Sequence, residues 1–312
     1  MIDRENLMKK LEEIDTKFHK GNTKIFDALD KPEIKKKQEE IEEFSKSNFL
    51  SQSKKMAVLG LDIFKYSEYE PNRQNLVPFI FDMIFNKTLN DIKKEEKAFF
   101  KDIDIIGENK FISTGDGGFI LFDTPLHAII FNLRFFAVLH LFNTGHLFPE
   151  LSRYIGKIVI RSAITRDMVF KFNEKYYGKA IIDNSRILSR DRLDRFAISE
   201  NVYDHFIKFF NGIENLPNLR IKDIYDAYEE GKRDYNIDVY AATQFFNQDR
   251  NTDLIKSIHV QKIERLISKN TELTFYNIEV QFFIDMYNDE NETEKISFIL
   301  SVGNLNANKL EQ

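Results

Sequence analysis

Two aspartates stand where a metal-dependent reaction could take place. Asp62 follows the apolar run 56–61, which predicts a buried strand, and Asp116 lies in a Gly-Asp-Gly turn between two further apolar runs. If those strands are neighbours in one sheet, both carboxylates meet at the same edge. Carboxylates without His or Cys partners favour hard cations such as Mg²⁺ or Mn²⁺, and two such ions about 3.5–4 Å apart can clamp an in-line displacement at phosphorus. The alternative is that Asp116 is only a turn residue.

The sequence lacks the residues for several other chemistries. The chain has no Cys, which excludes disulfides, thiolate metal sites and cysteine nucleophiles. The patterns GxxxxGK[ST], GxGxxG, HExxH and GxSxG are also absent, so common phosphate loops, zinc sites and serine nucleophiles are not indicated. His127, His140 and His146 lie on or just after an apolar helix, and we interpret them as core or cap side chains.

The charge balance narrows the class of partner. The 312 residues include 45 Lys+Arg and 50 Asp+Glu, a formal net charge of −5, which argues against a protein that coats nucleic acid but not against a nucleotide ligand. The start of the chain lacks the pattern of a signal peptide. The most apolar stretch, 126–142, contains Asn132 and Arg134, so we expect a buried helix rather than a membrane span, and a cytoplasmic protein.

The elements that would position the two aspartates lie in a stretch of alternating strands and helices. The pattern predicts, in order, a strand at 56–63, a helix near 74–89, a hairpin over 110–122, a helix that starts at Thr124-Pro125 and ends before Gly145, a strand at 157–164, a strand-like piece reaching Tyr177, a helix through Leu188, a strand at 196–199 and a helix from Glu200.

The two ends of the chain differ from this stretch. The N-terminal end predicts two helices, the second of them charged and following Pro32, which form either a solvated arm or one that packs across a dimer partner. The C-terminal end has two aromatic and β-branched runs, 273–286 and 296–302, which predict a β-hairpin that extends the sheet. We therefore expect a helical arm at 1–54, a catalytic domain at 55–245 and a C-terminal strand extension at 246–312.

Five segments, in order, resemble the motifs of the class III nucleotide cyclases. The match spans about residues 55–210, and the ordered set is more specific than any single motif. The segments are 61–67, which resembles the first strand and loop, with the pattern Asp-Ile-x-x-[Phe/Tyr]-[Ser/Thr]; 114–119, which resembles the second-metal hairpin; 159–165, which is similar to Arg-x-Gly-Ile-His; 177–186, which is similar to Trp-Gly-x-x-x-Asn-x-x-x-Arg; and 196–199, which is similar to the strand that follows.

The resemblance implies an α+β fold with a ferredoxin-like, mostly antiparallel central sheet and helices on one face. It also implies two divalent cations, Mn²⁺ or Mg²⁺, held by Asp62, Asp116 and the backbone carbonyl of Ile63. Segment 63–67, which ends at Ser67, would hold a nucleoside triphosphate through its backbone N–H groups.

Two arginines complete the site that the resemblance implies. Arg161 would contact the phosphates, and Arg186 would come from the other subunit of a head-to-tail homodimer to stabilise charge on the α-phosphate. The alternatives are a surface charge at a strand edge for Arg161 and a solvated basic cluster for Arg186.

Three positions depart from the family members that cyclise purine nucleotides. Ile112 stands where they carry the Lys or Glu that reads the base, and Lys175 stands where they carry an acid or Cys. Ile182 replaces their ribose-positioning Asn, for which Asn184 is a possible substitute. This combination resembles the pyrimidine cyclases of the bacterial Pycsar anti-phage system. A smaller base needs a smaller pocket, and Ile112, Phe64 or Tyr66 would supply the bulk.

We therefore expect an enzyme that converts UTP to 3′,5′-cyclic UMP and pyrophosphate. Its product would act on a separate effector in antiviral defence, and no nucleic-acid or membrane partner is expected. The alternatives are a cytidylate cyclase that uses CTP, an adenylate cyclase and, in another class, an inactive cyclase-like module that senses a nucleotide. A diguanylate cyclase or palm-type polymerase is disfavoured because the turn is Gly-Asp-Gly-Gly-Phe rather than Gly-Gly-Asp-Glu-Phe.

Overall fold

A computed structural model describes most of the central part of the chain and the C-terminal strands. The described residues are 9, 32–48, 53–95, 100, 110–172, 175–190, 195–209, 255–268, 271–287 and 295–303. The chain divides into two compact units, one of residues 1–55 and 168–179 and the other of residues 56–167 and 180–312.

The described strands form one mixed sheet. In spatial order the main path is β2-β3-β1-β4-β6-β8-β7, with β5 paired to β4 and β9 paired to β8. The pairs of β3 with β1 and β2, and of β8 with β6, β7 and β9, are antiparallel, whereas β4 and β6 are parallel. The strands are β1 (Lys54–Ile63), β2 (Phe111–Ser113), β3 (Gly117–Phe122), β4 (Ile160–Phe172), β5 (Lys175–Gly178), β6 (Phe196–Ser199), β7 (Ile255–Ser268), β8 (Thr271–Tyr287) and β9 (Lys295–Val302).

Helices connect these strands, which confirms the predicted α+β class with a mostly antiparallel sheet. The helices are α1 (Pro32–Asn48), α2 (Pro71–Gln74), α3 (Val77–Glu95), α4 (Pro125–Asn143), α5 (Pro149–Ile155), α6 (Lys179–Arg190) and α7 (Glu200–Phe209). The charged helix predicted after Pro32 is α1, whereas the first predicted helix of the arm lies outside the described residues. The division into arm, catalytic domain and extension stays a prediction.

The alternation of side chains along the strands produces a core on each face of the sheet. Leu59 and Leu61 of β1 belong to the larger apolar cluster, together with α3 and α4. Ala163 of β4 belongs to a second cluster, with Ile187 and Leu188 of α6. The expectation of helices on one face is therefore wrong, because the amphipathic helix α6 buries its apolar side on the opposite face from α3 and α4.

Helix α4 is the central helix of the larger cluster. Its N-cap is Thr124, whose hydroxyl accepts from the backbone N–H of His127 and contacts the imidazole Nδ1 at 2.7 Å, so His127 is a cap side chain as interpreted. Among the described helices, α4 is long and apolar enough to cross a membrane, but 83% of that window is buried within the protein. It is therefore a core helix here, as its buried Asn132 indicates; the amide of that residue donates to the Ser162 hydroxyl at 3.1 Å.

The C-terminal strands continue the sheet beyond β6. The predicted hairpin is present as β8 and β9, but the pattern missed β7, which pairs along β8 from residue 255 to residue 268. Asn277 joins these strands, because its side chain accepts from the N–H of Phe196 at 2.9 Å and donates to the carbonyl of Gly303 at 2.7 Å. Asn277 is buried, so both hydrogen bonds are shielded from water.

Candidate active site

The structure brings Asp62 and Asp116 together at one edge of the sheet. Strand β1 runs antiparallel to β3 with Asp62 opposite Gly117, and the N–H of Ile63 donates to the carbonyl of Asp116 at 2.8 Å. The hairpin is closed by the N–H of Thr114, which donates to the carbonyl of Gly117 at 3.1 Å. The predicted adjacency of the two strands therefore holds.

Arg161 points at Asp62 from the neighbouring strand β4. Its Nε donates to Asp62 Oδ2 at 2.7 Å, and its Nη2 contacts the same oxygen. The guanidinium carbon also lies 5.4 Å from the centre of the Phe64 ring, within range of a cation–π interaction. Both side chains of the ion pair are about one-fifth exposed, at 20% for Arg161 and 21% for Asp62. Because β4 lies between β1 and β6 in the sheet, the alternative of a surface charge at a strand edge is wrong for Arg161.

The electrostatics of the edge favour a cation. Burial raises the pKa of Asp62 above its ordinary value, the hydrogen bond and charge of Arg161 lower it, and the negative charge of Asp116 raises it. Burial has the largest effect, so the net shift is upward. A further positive charge between the two carboxylates would favour the ionised form of both.

The carboxylates of Asp62 and Asp116 fit a hard divalent cation. Both donors are oxygens, and the strand pairing places them at a single edge. Among the described residues there is no cluster of three or more His, Asp or Glu side chains that could hold a metal ion. The protein would therefore supply two carboxylates and the backbone carbonyl of Ile63, and water and phosphate oxygens would complete the shell, as Mg²⁺ commonly requires.

The segment after β1 turns sharply away from the sheet. The N–H of Phe64 donates to the carbonyl of Val159 at 2.9 Å, and Lys65 has φ 56 in the left-handed region. The N–H groups of Ile63 and Phe64 are thus used within the protein. Of the predicted triphosphate-binding segment 63–67, this leaves only the N–H groups of residues 65–67 for a phosphate.

Tyr66 and Ser67 have different surroundings. The Tyr66 hydroxyl donates to the carbonyl of Gln74 at 3.2 Å, and its ring packs against the larger apolar cluster. The structure therefore directs Tyr66 toward the helices and not toward Asp62. Ser67 is exposed on the short 3₁₀ turn Tyr66–Glu68.

Ile112 lies on the same face of the sheet as Asp62. It is opposite Phe119 in the β2–β3 pair, and Phe119 is opposite Gly60 in the β3–β1 pair. Directly opposed residues share a face of the sheet, and so do residues two apart on one strand. Ile112, Phe119, Gly60 and Asp62 therefore all lie on one face. Phe119, which the sequence analysis did not single out, thus adds an aromatic side chain beside Ile112. Lys175 is exposed at the start of β5, in the other compact unit.

Arg186 contacts its own helix rather than Asp62 or Asp116 of the same chain. Its Nη1 lies 3.4 Å from Oδ1 of the buried Asp183, one turn earlier in α6. Ile182 is half exposed on the same helix, at 51%.

Asn184 is a structural residue and not a substitute for the ribose-positioning Asn. Its fully buried amide nitrogen donates to the carbonyls of Val58 at 2.7 Å and Ala163 at 2.9 Å, which ties α6 to β1 and β4. The carbonyl oxygen of Asn184 faces Gly60, where an added Cβ would lie 2.0 Å away. The suggestion that Asn184 contacts a ribose is therefore wrong, because no part of it reaches the surface.

Comparison with known proteins gives likenesses of fold at low identity. Neither a protein-family model nor a curated protein matches the chain. Similar solved structures are the guanylyl cyclase Cya2 (12% identity, 72% of this chain and 92% of that chain, TM-score 0.40) and the adenylyl cyclase CyaB from P. aeruginosa (15%, 73% and 94%, 0.39). A third is the guanylate cyclase domain of RhGC from Catenaria anguillulae in complex with GTP, with 11% identity, coverage of 73% of this chain and 97% of that chain, and a TM-score of 0.42. At these identities and TM-scores the likenesses assign no activity to this chain.

Proposed function

We propose that the protein is a nucleotide cyclase that converts a nucleoside triphosphate to a 3′,5′-cyclic nucleotide and pyrophosphate. The observation that carries this proposal is the meeting of Asp62 and Asp116 at one sheet edge, with Arg161 on the adjacent strand. Two carboxylates and a guanidinium suit a reaction at phosphate, because phosphoryl transfer depends on positioning and charge stabilisation rather than on a covalent protein intermediate.

The reaction exchanges one P–O bond of the α-phosphate for another. The ribose 3′-oxygen attacks the α-phosphorus, pyrophosphate leaves from the opposite side, and the hydroxyl proton passes to solvent. Divalent cations held by Asp62, Asp116 and the Ile63 carbonyl would acidify the 3′-hydroxyl and neutralise the pyrophosphate charge. The N–H groups of residues 65–67 and the guanidinium of Arg161 would hold the phosphate chain in line for the attack.

We infer that the substrate base is a pyrimidine, with UTP preferred and CTP as the alternative. Ile112 cannot donate or accept a hydrogen bond, and its neighbour across the hairpin is Phe119. The bulk of this apolar wall narrows the space beside it, which suits the smaller pyrimidine base. Phe64, which stacks against Arg161, supplies a second aromatic surface at the same edge. An adenylate cyclase with unusual base contacts is the alternative within the same reaction class.

We infer that two copies of the chain share each active site. Arg186 contacts Asp183 and neither Asp62 nor Asp116 of the same chain, so the arginine that stabilises the α-phosphate would come from a second copy. A mixing experiment tests this arrangement. Asp116→Asn and Arg186→Ala, each inactive alone, should regain about a quarter of the wild-type activity when mixed, because random pairing places both lesions in one site and leaves the other intact. No regain on mixing would contradict a shared site.

The resemblance to the Pycsar pyrimidine cyclases supports a role for the product as a second messenger. In that role the protein would act in the cytoplasm during antiviral defence, and the cyclic nucleotide would act on a separate effector.

One observation favours a candidate function of another class, an inactive module that senses a nucleotide. The guanidinium of Arg161 already neutralises the Asp62 carboxylate, as it would in a module that binds a nucleotide but no catalytic cation.

One experiment tests both the reaction and the base. The protein is incubated separately with ATP, GTP, CTP and UTP in the presence of Mn²⁺, and the products are identified by mass spectrometry. Cyclic UMP from UTP is the expected product. Preferred use of ATP or GTP would overturn the pyrimidine specificity, and the absence of any cyclic nucleotide would favour the sensing module.

A further inference from the structure

The guanidinium of Arg161 contacts Oδ2 of Asp62, the carboxylate that the proposed function assigns to a divalent cation. We propose that Arg161 is an internal counter-ion that blocks the Asp62 side of the metal site until a triphosphate draws its guanidinium away, so that the divalent cation and the triphosphate bind together. This inference rests on the proposed function, since it assigns Asp62 to the metal site.

The ion pair is held by more than charge. Both Nε and Nη2 of Arg161 converge on the same oxygen, Asp62 Oδ2, and the Phe64 ring lies against the guanidinium at 5.4 Å. The side chains are about one-fifth exposed, at 20% and 21%, so water screens the pair less than it screens a surface salt bridge. The exposed pair of Arg153 with Glu150 on α5 is a useful contrast, because its side chains are 76% and 83% exposed.

The fold presents Arg161 to Asp62 by strand alternation. Ile160, the preceding residue, is buried in the larger apolar cluster, so Arg161 faces the other side of the sheet, where Asp62 lies. The backbone of β4 is fixed beside the end of β1, because the carbonyl of Val159 accepts from the N–H of Phe64. The guanidinium therefore reaches Asp62 without any movement of the backbone.

A divalent cation on Asp62 and the guanidinium on the same carboxylate would repel each other. Two like charges about 4 Å apart repel each other even at the effective dielectric of a protein surface, and more strongly when one of them is doubly charged. A bare cation must therefore displace Arg161 from Asp62, which costs the partly buried guanidinium its charge-assisted contact with that carboxylate. A triphosphate removes this penalty, because phosphate oxygens accept the two N–H groups of a guanidinium as well as a carboxylate does.

The test measures Mn²⁺ binding in the absence of nucleotide, by electron paramagnetic resonance of free Mn²⁺ and by the shift in melting temperature on adding Mn²⁺. Arg161→Gln should bind Mn²⁺ about tenfold or more tightly than the wild type, because the competing charge is gone. Arg161→Lys, which keeps the charge but loses the two-pronged contact, should fall between them. Arg153→Gln, the matched control that removes an exposed arginine, should bind as the wild type does.

A double variant identifies Asp62 as the carboxylate that binds Mn²⁺. Adding Asp62→Asn to Arg161→Gln should abolish the gain in Mn²⁺ affinity. Unchanged or weaker Mn²⁺ binding in Arg161→Gln overturns the proposal; if that variant does not fold, unchanged or weaker binding in folded Arg161→Lys overturns it instead. These measurements require no turnover, so a tighter Mn²⁺ site in a protein that makes no cyclic nucleotide would refute the proposed function and leave the counter-ion role standing.

Discussion

The N–H of Ile63 donates to the carbonyl of Asp116 at 2.8 Å, so the residue after one candidate metal ligand is bonded to the other. This bond continues the β1–β3 pairing to Asp116, the residue just before β3, and fixes the two backbones beside each other. The turn between β2 and β3 is therefore part of the site and not only a connection. Backbone hydrogen bonds hold the turn, and the Thr114 hydroxyl also donates to Asp116 Oδ1 at 3.3 Å, a contact that the amide oxygen of an Asn can keep.

Replacing Asp116 by Asn should remove activity without unfolding the protein. We expect kcat to fall by about 10²-fold or more, because an amide cannot supply the negative charge that a divalent cation needs. The free energy of unfolding should change by less than about 0.5 kcal/mol, since the side chain is partly exposed and the backbone bonds remain. Activity assays and urea unfolding measure the two effects. Asp123→Asn, an exposed acid just after β3, is the control, and equal losses in both variants would contradict the assignment.

Gly60 should tolerate no side chain while Asn184 is present. A Cβ at Gly60 would lie 2.0 Å from Asn184 Oδ1 and 2.6 Å from Leu188 Cδ1, so Gly60→Ala should lower the free energy of unfolding by about 1–3 kcal/mol. Asn184→Ala should cost about 1–3 kcal/mol by leaving the carbonyls of Val58 and Ala163 without their donor. The double variant should lose less than the sum, because the clash with Asn184 is gone. Strict additivity in urea unfolding would contradict the contact.

His140 should make the protein less stable in acid. Burial lowers the pKa of His140 below its ordinary value, and the nearby charges of His146 and Lys157 lower it further. The unfolded chain therefore binds a proton at a higher pH than the folded protein does, and stability falls as pH drops from the ordinary pKa through the folded one. His140→Gln removes this contribution. Urea unfolding from pH 8 to pH 5 should show a smaller loss in His140→Gln than in the wild type, and parallel losses would refute the prediction.

Ile112 should influence which base is accepted. Ile112→Lys places a donor beside Phe119, so it should lower kcat/KM for UTP and raise the ratio of ATP to UTP use by about tenfold. Ile112→Val, which stays apolar, is the control and should keep the wild-type preference. Competition between ATP and UTP measures the ratio. An unchanged ratio of ATP to UTP use in Ile112→Lys would indicate that the base binds away from residue 112.

Local signals in the sequence predicted most of the elements well. The Asp-Gly turn, the Thr124-Pro125 helix start and the strand at 196–199 all depend on neighbouring residues, and the structure has each of them. The helix expected near 74–89 is two helices in the structure, the short α2 at Pro71–Gln74 and then α3, which runs from Val77 to Glu95. Its end lacks a glycine or proline signal, so the pattern gave no clear stop.

The contacts that define the site could not be predicted in the same way. The ion pair between Arg161 and Asp62 joins residues 99 positions apart and depends on β1 and β4 being neighbours, which no local pattern encodes. The role of Asn184 likewise depends on α6 crossing Gly60 on the second face of the sheet. Strand β7 was missed because its run 255–268 mixes Lys, His, Gln, Glu and Arg with its apolar residues, so it resembles a polar segment.

The measurement that tests the central claim most directly is one competition reaction. Wild-type protein and Asp116→Asn are each given an equimolar mixture of ATP, GTP, CTP and UTP with Mn²⁺, and every cyclic nucleotide is quantified by mass spectrometry. The account predicts that cyclic UMP dominates with the wild type and that Asp116→Asn makes it about 10²-fold or more slowly. Cyclic AMP as the main product, no cyclic nucleotide at all, or equal product from Asp116→Asn would contradict it.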